Sequence, residues 1–438
     1  MRILIHGINF RPELVGIGKY TGELADWLAQ RGHEVRVVTV PPFNPEGRVH
    51  SDYSSWRYRR ESSRKGETGD VTVYRCPLWV SRNPSAVRRI LHLASFALSG
   101  LPVMLAQIFW RPSLVFVVEP TLLCVPAALM TAKLSGGCSW LHIQDFEVDA
   151  GFAVGMLRSS AMRSVIGWVE KRLLSACDRV STISAKMVAR LSEEDVPSSR
   201  SVLFPNWVDT EKVFPMGESS PLRAELAISH ETVVALYSGS MGRKQGLEIL
   251  VQAAERLAEN RTIQFVFCGD GSYRETLAER SVGLPNVRWI PLQPAERLND
   301  LLNLADIHLL PQGSEVADLV MPSKLTGMLA SGRPVIATAA EDTQLGLAIK
   351  DRGIRVDTFD VQGFVASIVR LASDPELRNR LGQNGRRFAE TTLDKHRILE
   401  MIEQEFFRIV GSSLTAMPAA EVSKSEILGK DSLRQDHA

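Results

Sequence analysis

A short apolar run, a turn and an amphipathic stretch succeed one another along most of this chain, and that alternation leaves few architectures open. Runs of this length cannot bury both faces alone. They do so as parallel strands covered by crossover helices, which is the α/β solution. Strands are predicted at Arg2 to Ile5, Val35 to Thr39, Thr72 to Arg75, Leu114 to Val118, Ser139 to Ile143 and Arg179 to Ile183. A second series follows at Val233 to Ser238, Ile263 to Cys268, Val287 to Pro291, Ile307 to Leu310 and Pro334 to Ala337. With 438 residues the chain exceeds what one core usually supports, so the two series are read as two domains of about 200 residues each. The prolines of Phe204-Pro-Asn-Trp-Val-Asp-Thr-Glu-Lys-Val-Phe-Pro215 mark the linker, because proline interrupts regular structure. The predicted units are residues 1–205, 206–390 and a terminal helix over 391–411. Residues 412–438, poor in large apolar side chains, are expected to be disordered. Gly47 to Asp70, polar and charged, reads as a mobile loop.

The charges balance, 51 Lys plus Arg against 50 Asp plus Glu, which argues against a nucleic-acid partner. Their distribution is uneven. Residues 1–120 hold 16 basic against 10 acidic side chains, concentrated at Trp56-Arg-Tyr-Arg-Arg60, Arg64-Lys65 and Arg88-Arg89, so this half is suited to an anionic surface. Five cysteines form no C-x-x-C pair and no zinc-ligand spacing, as expected of free thiols in a reducing cytosol. The N-terminus enters a strand-like run directly, without the features of a secretion signal, so a cytoplasmic protein is expected.

Ile90 to Trp110 runs 21 residues without a charged side chain, long enough to span a bilayer. Three readings stand open: a span, a buried helix of the first domain, and a helix lying in a membrane surface. The polar His92, Ser95, Ser99 and Gln107 and the Gly100-Leu-Pro102 break argue against a span, while the basic flank favours contact with an anionic leaflet.

Four segments carry candidate chemistry. Tyr237-Ser-Gly-Ser-Met-Gly-Arg-Lys-Gln-Gly-Leu-Glu248 ends a strand in glycines, adds two cations and opens a helix. Gly239, Arg243 and Lys244 there suit a diphosphate, since glycine admits close backbone approach and the cations match the charge; an ordinary strand-to-helix turn is the plainer alternative. Gly16 and Gly18 open the first helix in the same manner and could admit a phosphate, though a glycine pair alone is weakly specific. His142-Ile-Gln-Asp-Phe-Glu-Val-Asp149 ends a buried strand with Asp145, Glu147 and Asp149 on one side, suited to sugar hydroxyls or acid/base work. A magnesium site or a solvated helix start remain open for it, and His142 alone reads more readily as a packed histidine. In the second half, Gly269 and Gly271 form a further turn after a strand. Met321-Pro-Ser-Lys-Leu-Thr326 places Ser323 and Lys324 at a helix start, where a cation opposes the dipole and so suggests an anionic ligand over a plain surface lysine.

Taken together, Gly16-Ile-Gly-Lys-Tyr-Thr-Gly22, Arg31-Gly-His-Glu-Val35, Trp56-Arg-Tyr58, His142-Ile-Gln-Asp145, Ser181-Thr-Ile-Ser184, Phe204-Pro-Asn-Trp207, Arg243-Lys-Gln-Gly-Leu-Glu248 and Pro322-Ser-Lys-Leu-Thr326 resemble, in order and wording, the retaining GT-B glycosyltransferases of family four. The resemblance covers the chain to about residue 400. It implies a GT-B fold, two Rossmann-like domains with parallel sheets facing a central cleft, the second binding a nucleotide-sugar donor and the first an acceptor. It implies no bound metal and no cofactor beyond the nucleotide-sugar co-substrate. The residues carried over are Asp145, His142, Arg243 and Lys244 for catalysis. Donor binding falls to Gly16, Gly18, Gly239, Arg243, Lys244, Gly269, Gly271, Ser323 and Lys324, and acceptor binding to Glu147 and Asp149.

One departure stands out. Most members place a ribose-binding glutamate five residues before the glycine of the closing motif and another eight residues earlier, where this chain has Gly327 and Leu319; Glu248 or Asp318 are the substitutes considered. Within the family the likeness runs to enzymes of colanic acid-type exopolysaccharide synthesis. That implies a GDP-sugar, GDP-fucose foremost, and a lipid-diphosphate-linked sugar acceptor at the inner face of the cytoplasmic membrane. Peripheral attachment would use the basic first domain and Ile90 to Trp110. Two other classes are weighed, a nucleotide-sugar 2-epimerase and a non-catalytic partner of a polysaccharide assembly complex.

Overall fold

The computed structural model describes residues 1–13, 16–43, 47–64, 70–81, 86–120, 122–146, 160–242, 245–313 and 322–415. Two sheets organise them. The first contains β1 (Arg2–Gly7), β2 (Glu34–Thr39), β3 (Arg59–Arg64), β4 (Asp70–Arg75), β5 (Leu114–Val118), β6 (Cys138–Ile143), β7 (Arg179–Thr182) and β8 (Ser201–Leu203), in the spatial order β3-β4-β2-β1-β5-β6-β7-β8. Only β3 runs antiparallel, against β4. The second sheet holds β9 (Val233–Ser238), β10 (Ile263–Cys268), β11 (Val287–Ile290), β12 (Ile307–Leu310), β13 (Val335–Thr338) and β14 (Gly353–Val356), ordered β11-β10-β9-β12-β13-β14 and parallel throughout. Strand order reverses beside β1 and beside β9, and such switch points open ligand crevices at the carboxyl ends of the strands.

The central strands are apolar because both of their faces are covered: every residue of β5, β6 and β12 is buried. Helix starts follow local chemistry. Ser184 Oγ accepts the Met187 N–H at 3.2 Å, Thr343 Oγ1 that of Gly346 at 3.0 Å, and Asp374, with Pro375 next, that of Leu377 at 2.8 Å, each satisfying a donor that a helix N-terminus leaves unpaired.

Two expectations change, and one left open is narrowed. Arg59–Arg64 lies inside the expected loop Gly47 to Asp70 yet forms an edge strand, held by pairing to β4 and by Glu61, which accepts from Arg75 Nε at 2.9 Å. Two short strands, β8 and β14, are added at the sheet edges. The 21-residue uncharged stretch is the helix Ala86–Gln107 with a 3-10 turn over Ile108–Trp110. Phe96 and Met104 are buried in the first core, and Leu98 on the outer side is 72% exposed. It is therefore a covering helix of the sheet with an apolar outer face. The expected tail beyond residue 415 lies outside the described residues.

The linker and the returning chain pair as they cross. Val208 N–H donates to the Leu393 carbonyl and Lys395 N–H to the Val208 carbonyl, each at 2.9 Å. The last helix, Lys395–Thr415, then inserts Leu399, Ile402, Phe406 and Ile409 into the core around β1, β5 and β6. Phe406 meets the rings of Trp140 and Phe116 at 5.0 and 5.5 Å. Buried Glu403 pairs with His33 at 2.9 Å and Arg31 at 3.0 Å.

Candidate functional site between the two sheets

Beyond β9 the backbone turns at Gly239, whose φ of 134° disfavours any residue with a side chain. The Gly239 N–H donates to the Cys268 carbonyl at 2.9 Å and Met241 N–H to that of Asp270 at 2.8 Å, so the turns after β9 and β10 lie flank to flank. A Cβ at Gly269 would collide with the Gly239 carbonyl, and one at Gly271 (φ 149°) with that of Met241. These glycines are thus demanded by backbone packing that shapes one continuous turn surface.

Lys324 reaches this surface from the helix Lys324–Ala330. Its Nζ donates to Tyr237 Oη at 2.9 Å and lies 4.4 Å from the centre of that ring. A Cβ on Gly239 would stand 3.3 Å from Nζ, so ammonium and turn are in contact. Tyr237 Oη is fixed in turn by the Ser240 carbonyl at 2.5 Å and Gln245 Oε1 at 2.9 Å. Burial pushes the Lys324 ammonium down to about 8 and raises the Tyr237 phenol, since a low-dielectric setting disfavours the charged forms. Among the described residues no carboxylate pairs with Lys324. Ser323 sits beside it, half-buried at the start of the helix. Gly327 follows one turn later, where a Cβ would stand 3.2 Å from Leu302 Cδ1. Arg243, Lys244, Asp318 and Leu319 lie outside the described residues.

In the first domain, Gly16 (φ 60°) begins the helix Gly16–Gln30, and a Cβ there would meet nothing within 4 Å, so this backbone is open. Gly18 differs. It is buried beneath Glu13, 2.7 Å from where its Cβ would be, and its small size is needed by that packing. Asp145 follows β6, half-buried, and burial lifts its carboxyl to about 6, partly countered by Arg89. His142 is buried on β6 with each nitrogen engaged, Nδ1 at 2.9 Å from Ser181 Oγ and Nε2 at 2.9 Å from the Gln144 amide. Burial drops its pKa to about 3. The ring packs against Phe116 and Phe204, so it is the packed histidine that the sequence suggested. Glu147 and Asp149 lie outside the described residues.

Trp207 ties the two domains. Its ring meets Tyr20 edge-on at 4.9 Å and stacks on Phe204 at 5.6 Å, and its Nε1–H donates to Glu23 at 2.7 Å. Its carbonyl accepts from Thr326 of the Lys324 helix at 3.5 Å, and Lys395 also reaches Glu23, at 3.3 Å. The helix that opens with Gly16 and the helix that carries Lys324 therefore touch one linker residue. Across the cleft, Lys186 N–H meets Gln344 Oε1 at 3.3 Å. Tyr237 and Trp207 were not singled out in the sequence as site residues. Tyr237 ended an apolar run, and only its hydroxyl at a strand's carboxyl end hinted at more.

Two Rossmann-like sheets with glycine turns at a shared cleft define a glycosyltransferase of the GT-B architecture. The chain belongs to that family: residues 15–207 match the Glycosyl transferase 4-like domain and residues 219–388 the Glycosyl transferases group 1 domain. It is 40% identical over 409 residues to the putative colanic acid biosynthesis glycosyl transferase WcaI of Escherichia coli (strain K12), covering 91% of this chain and 98% of that protein. Among solved structures, sucrose-phosphate synthase of Thermosynechococcus elongatus superposes with TM-score 0.70 at 18% identity, over 94% of this chain and 100% of that one. Anabaena HepE in complex with UDP superposes with TM-score 0.65 at 14% identity, over 92% and 99%. These two likenesses concern the fold.

Proposed function

We propose that this glycosyltransferase moves a hexosyl unit, with retention, from a GDP-sugar, GDP-fucose foremost, to a lipid-diphosphate-linked sugar in the assembly of a colanic acid-like exopolysaccharide. The observation that carries the donor half is Lys324, an ammonium half-buried against the Gly239 turn with no carboxylate partner among the described residues. Burying a cation unpaired is costly, and a donor diphosphate supplies the missing charge. The E. coli relative named for colanic acid biosynthesis supports the product class, and the UDP complex of HepE supports a nucleotide donor.

In this reading Arg243, Lys244 and Lys324 hold the diphosphate and stabilise the charge that grows as the sugar leaves. The turns at Gly239, Gly269 and Gly271 present backbone to the nucleotide, Ser323 lies beside the phosphates, and Gly16 with Gly18 beneath it closes from the other domain. The acceptor hydroxyl attacks the anomeric carbon on the face the nucleotide leaves. The bond from that carbon to the diphosphate oxygen breaks, and a donor phosphate oxygen takes the hydroxyl proton. Asp145 orients the acceptor, supported by His142 through β6, and Glu147 and Asp149 share in binding it. No resident metal or cofactor enters this scheme.

The acceptor half draws on the outer face of the first domain. Ile90, Leu91 and Leu98 are 49, 52 and 72% exposed beside Arg88 and Arg89, and the helix Ala86–Gln107 contains no acidic residue. Leu134 and Trp168, each 61% exposed, lie on the helices Val125–Ser135 and Ser160–Ala176, the first of which packs against Ala86–Gln107. Such a face suits peripheral attachment to the anionic inner leaflet.

A thermal-shift screen with GDP, UDP, dTDP, ADP and their sugars tests the donor. A ligand at a hundred times its Kd adds about 2.7 kcal/mol to the folded state, so selective stabilisation by a GDP-sugar is expected. Stabilisation by UDP-sugars alone would move the donor to that class. A folded protein that responds to no nucleotide would favour a non-catalytic partner, a reading prompted by Gly327 at a ribose-binding position.

A further inference from the structure

A pocket of about 250 Å³ opens at the carboxyl ends of β2 and β4, among Asp52, Tyr53, Arg57, Tyr58, Arg59 and Arg75. Three guanidiniums line it. Those of Arg59 and Arg75 each lie 4.9 Å from the ring centre of Tyr53, which holds two like charges together through its electron-rich face. Arg75 is buried, with Nη1 and Nη2 donating to the Val40 and Arg11 carbonyls at 2.9 and 2.8 Å. Glu61 is shared between Arg59, at 3.0 Å, and Arg75, at 2.9 Å. Asp52 also lines the pocket: its backbone carbonyl accepts from Arg59 Nη1 at 3.1 Å, and its exposed carboxylate lies 3.6 Å from His50. Arg57 makes no hydrogen bond or ion pair among the described residues, so its five N–H donors are available at the mouth. Glu61 thus serves two of the three guanidiniums, the Asp52 carboxylate pairs with His50, and Arg57 is left for a ligand.

The rim has a different character. Trp56 and Tyr58 are 74 and 55% exposed, and Tyr58 Oη donates to the Ser99 carbonyl at 3.0 Å, which seats the pocket beside exposed Leu98 on the helix Ala86–Gln107. A cationic cup beside an aromatic and apolar rim fits an amphiphile with an anionic head. We infer that this pocket binds the phosphate end of the lipid-linked acceptor, a phosphate or diphosphate ester on a long apolar chain, with Arg57 as its principal contact. The inference rests on the transferase reading for its acceptor and on this pocket for its residues.

The test is calorimetric titration of the full chain with farnesyl diphosphate, farnesol and inorganic pyrophosphate. Farnesyl diphosphate is expected to bind tighter than either of the others. Arg57→Ala should weaken it about 10-fold and Arg57→Glu more, with Arg57→Lys between wild type and Ala, because a bidentate guanidinium contact is lost. Equal affinity for farnesol, or no change in Arg57→Ala and Arg57→Glu, would overturn the site. Pyrophosphate binding as tightly as farnesyl diphosphate, and weakened equally by Arg57→Ala, would overturn the lipid assignment. Nucleotide-sugar stabilisation is measured in the same variants. If it is absent throughout while farnesyl diphosphate binds through Arg57, the transferase reading fails and the pocket stands; the opposite pattern removes only the pocket.

Discussion

The second domain prepares its ligand surface with backbone, and the first prepares its own with side chains. After β9 and β10, three glycines press two turns together, and among the described residues Lys324 adds charge. Around β2 to β4 and the helix Ala86–Gln107, arginines, tyrosines and exposed leucines would do the corresponding work in the reading proposed above. A diphosphate is small, rigid and identical in every donor, so backbone N–H groups and glycine turns suffice to meet it. An acceptor varies in sugar and carrier, and only side chains can follow such variation.

Trp207 joins the two surfaces, and the largest effect is expected there. Trp207→Ala removes contacts to Tyr20, Phe204 and Glu23 and should cost about 3–5 kcal/mol of stability by denaturant unfolding; a loss under 1 kcal/mol would mean that the domains are joined elsewhere. Next come Arg243→Ala, Lys244→Ala and Lys324→Ala, each expected to lower turnover by ~10²-fold in a folded protein. Near-normal turnover in all three would erase the contrast between the halves. Asp145→Asn should lower turnover about 10-fold through acceptor placement. Because the Asp145 carboxyl titrates near 6, wild-type turnover should fall as pH drops through that value, a step absent from the Asn variant. The same raised pKa means that ionised Asp145 costs stability as pH rises from the ordinary carboxyl range through 6. The smallest effect concerns protons. Lys324 titrates near 8 in the free protein, and a bound diphosphate would raise it, so nucleotide binding at pH 8 to 9 should take up a fraction of a proton. Calorimetry in buffers of different ionisation heat would show it, and Lys324→Ala should abolish it.

The same contrast explains what was legible in the sequence. Central strands such as β5 and β12 announce themselves because burial on both faces forces continuous apolar runs. β3, Arg-Arg-Glu-Ser-Ser-Arg, has no such run; its pairing to β4 is a tertiary fact, and the segment reads as a loop. The glycine turns are visible because backbone constraints are written in consecutive residues. Tyr237 and Lys324 are 87 positions apart, and Glu23 and Trp207 are 184, so nothing local signals either pair. Gly18 shows a requirement the sequence hid: its place in a glycine-rich opening suggests a phosphate, and the structure adds a packing reason for glycine there, since Glu13 fills the space a Cβ would take. The pocket beside β3 was legible only as an excess of arginine, since its shape depends on that unforeseen strand.

The helix Lys395–Thr415 carries a consequence for how the chain is made. Phe406, Ile402 and Ile409 belong to the core of the first domain, but they leave the ribosome after the whole second domain. The first sheet must therefore wait, with the site for Phe406 beside Trp140 unfilled, until nearly all of the chain has been synthesised. An isolated fragment of residues 1–205 would keep that gap permanently. The two sheets are separate, yet the core of the first is finished by a helix that follows the whole second domain in sequence.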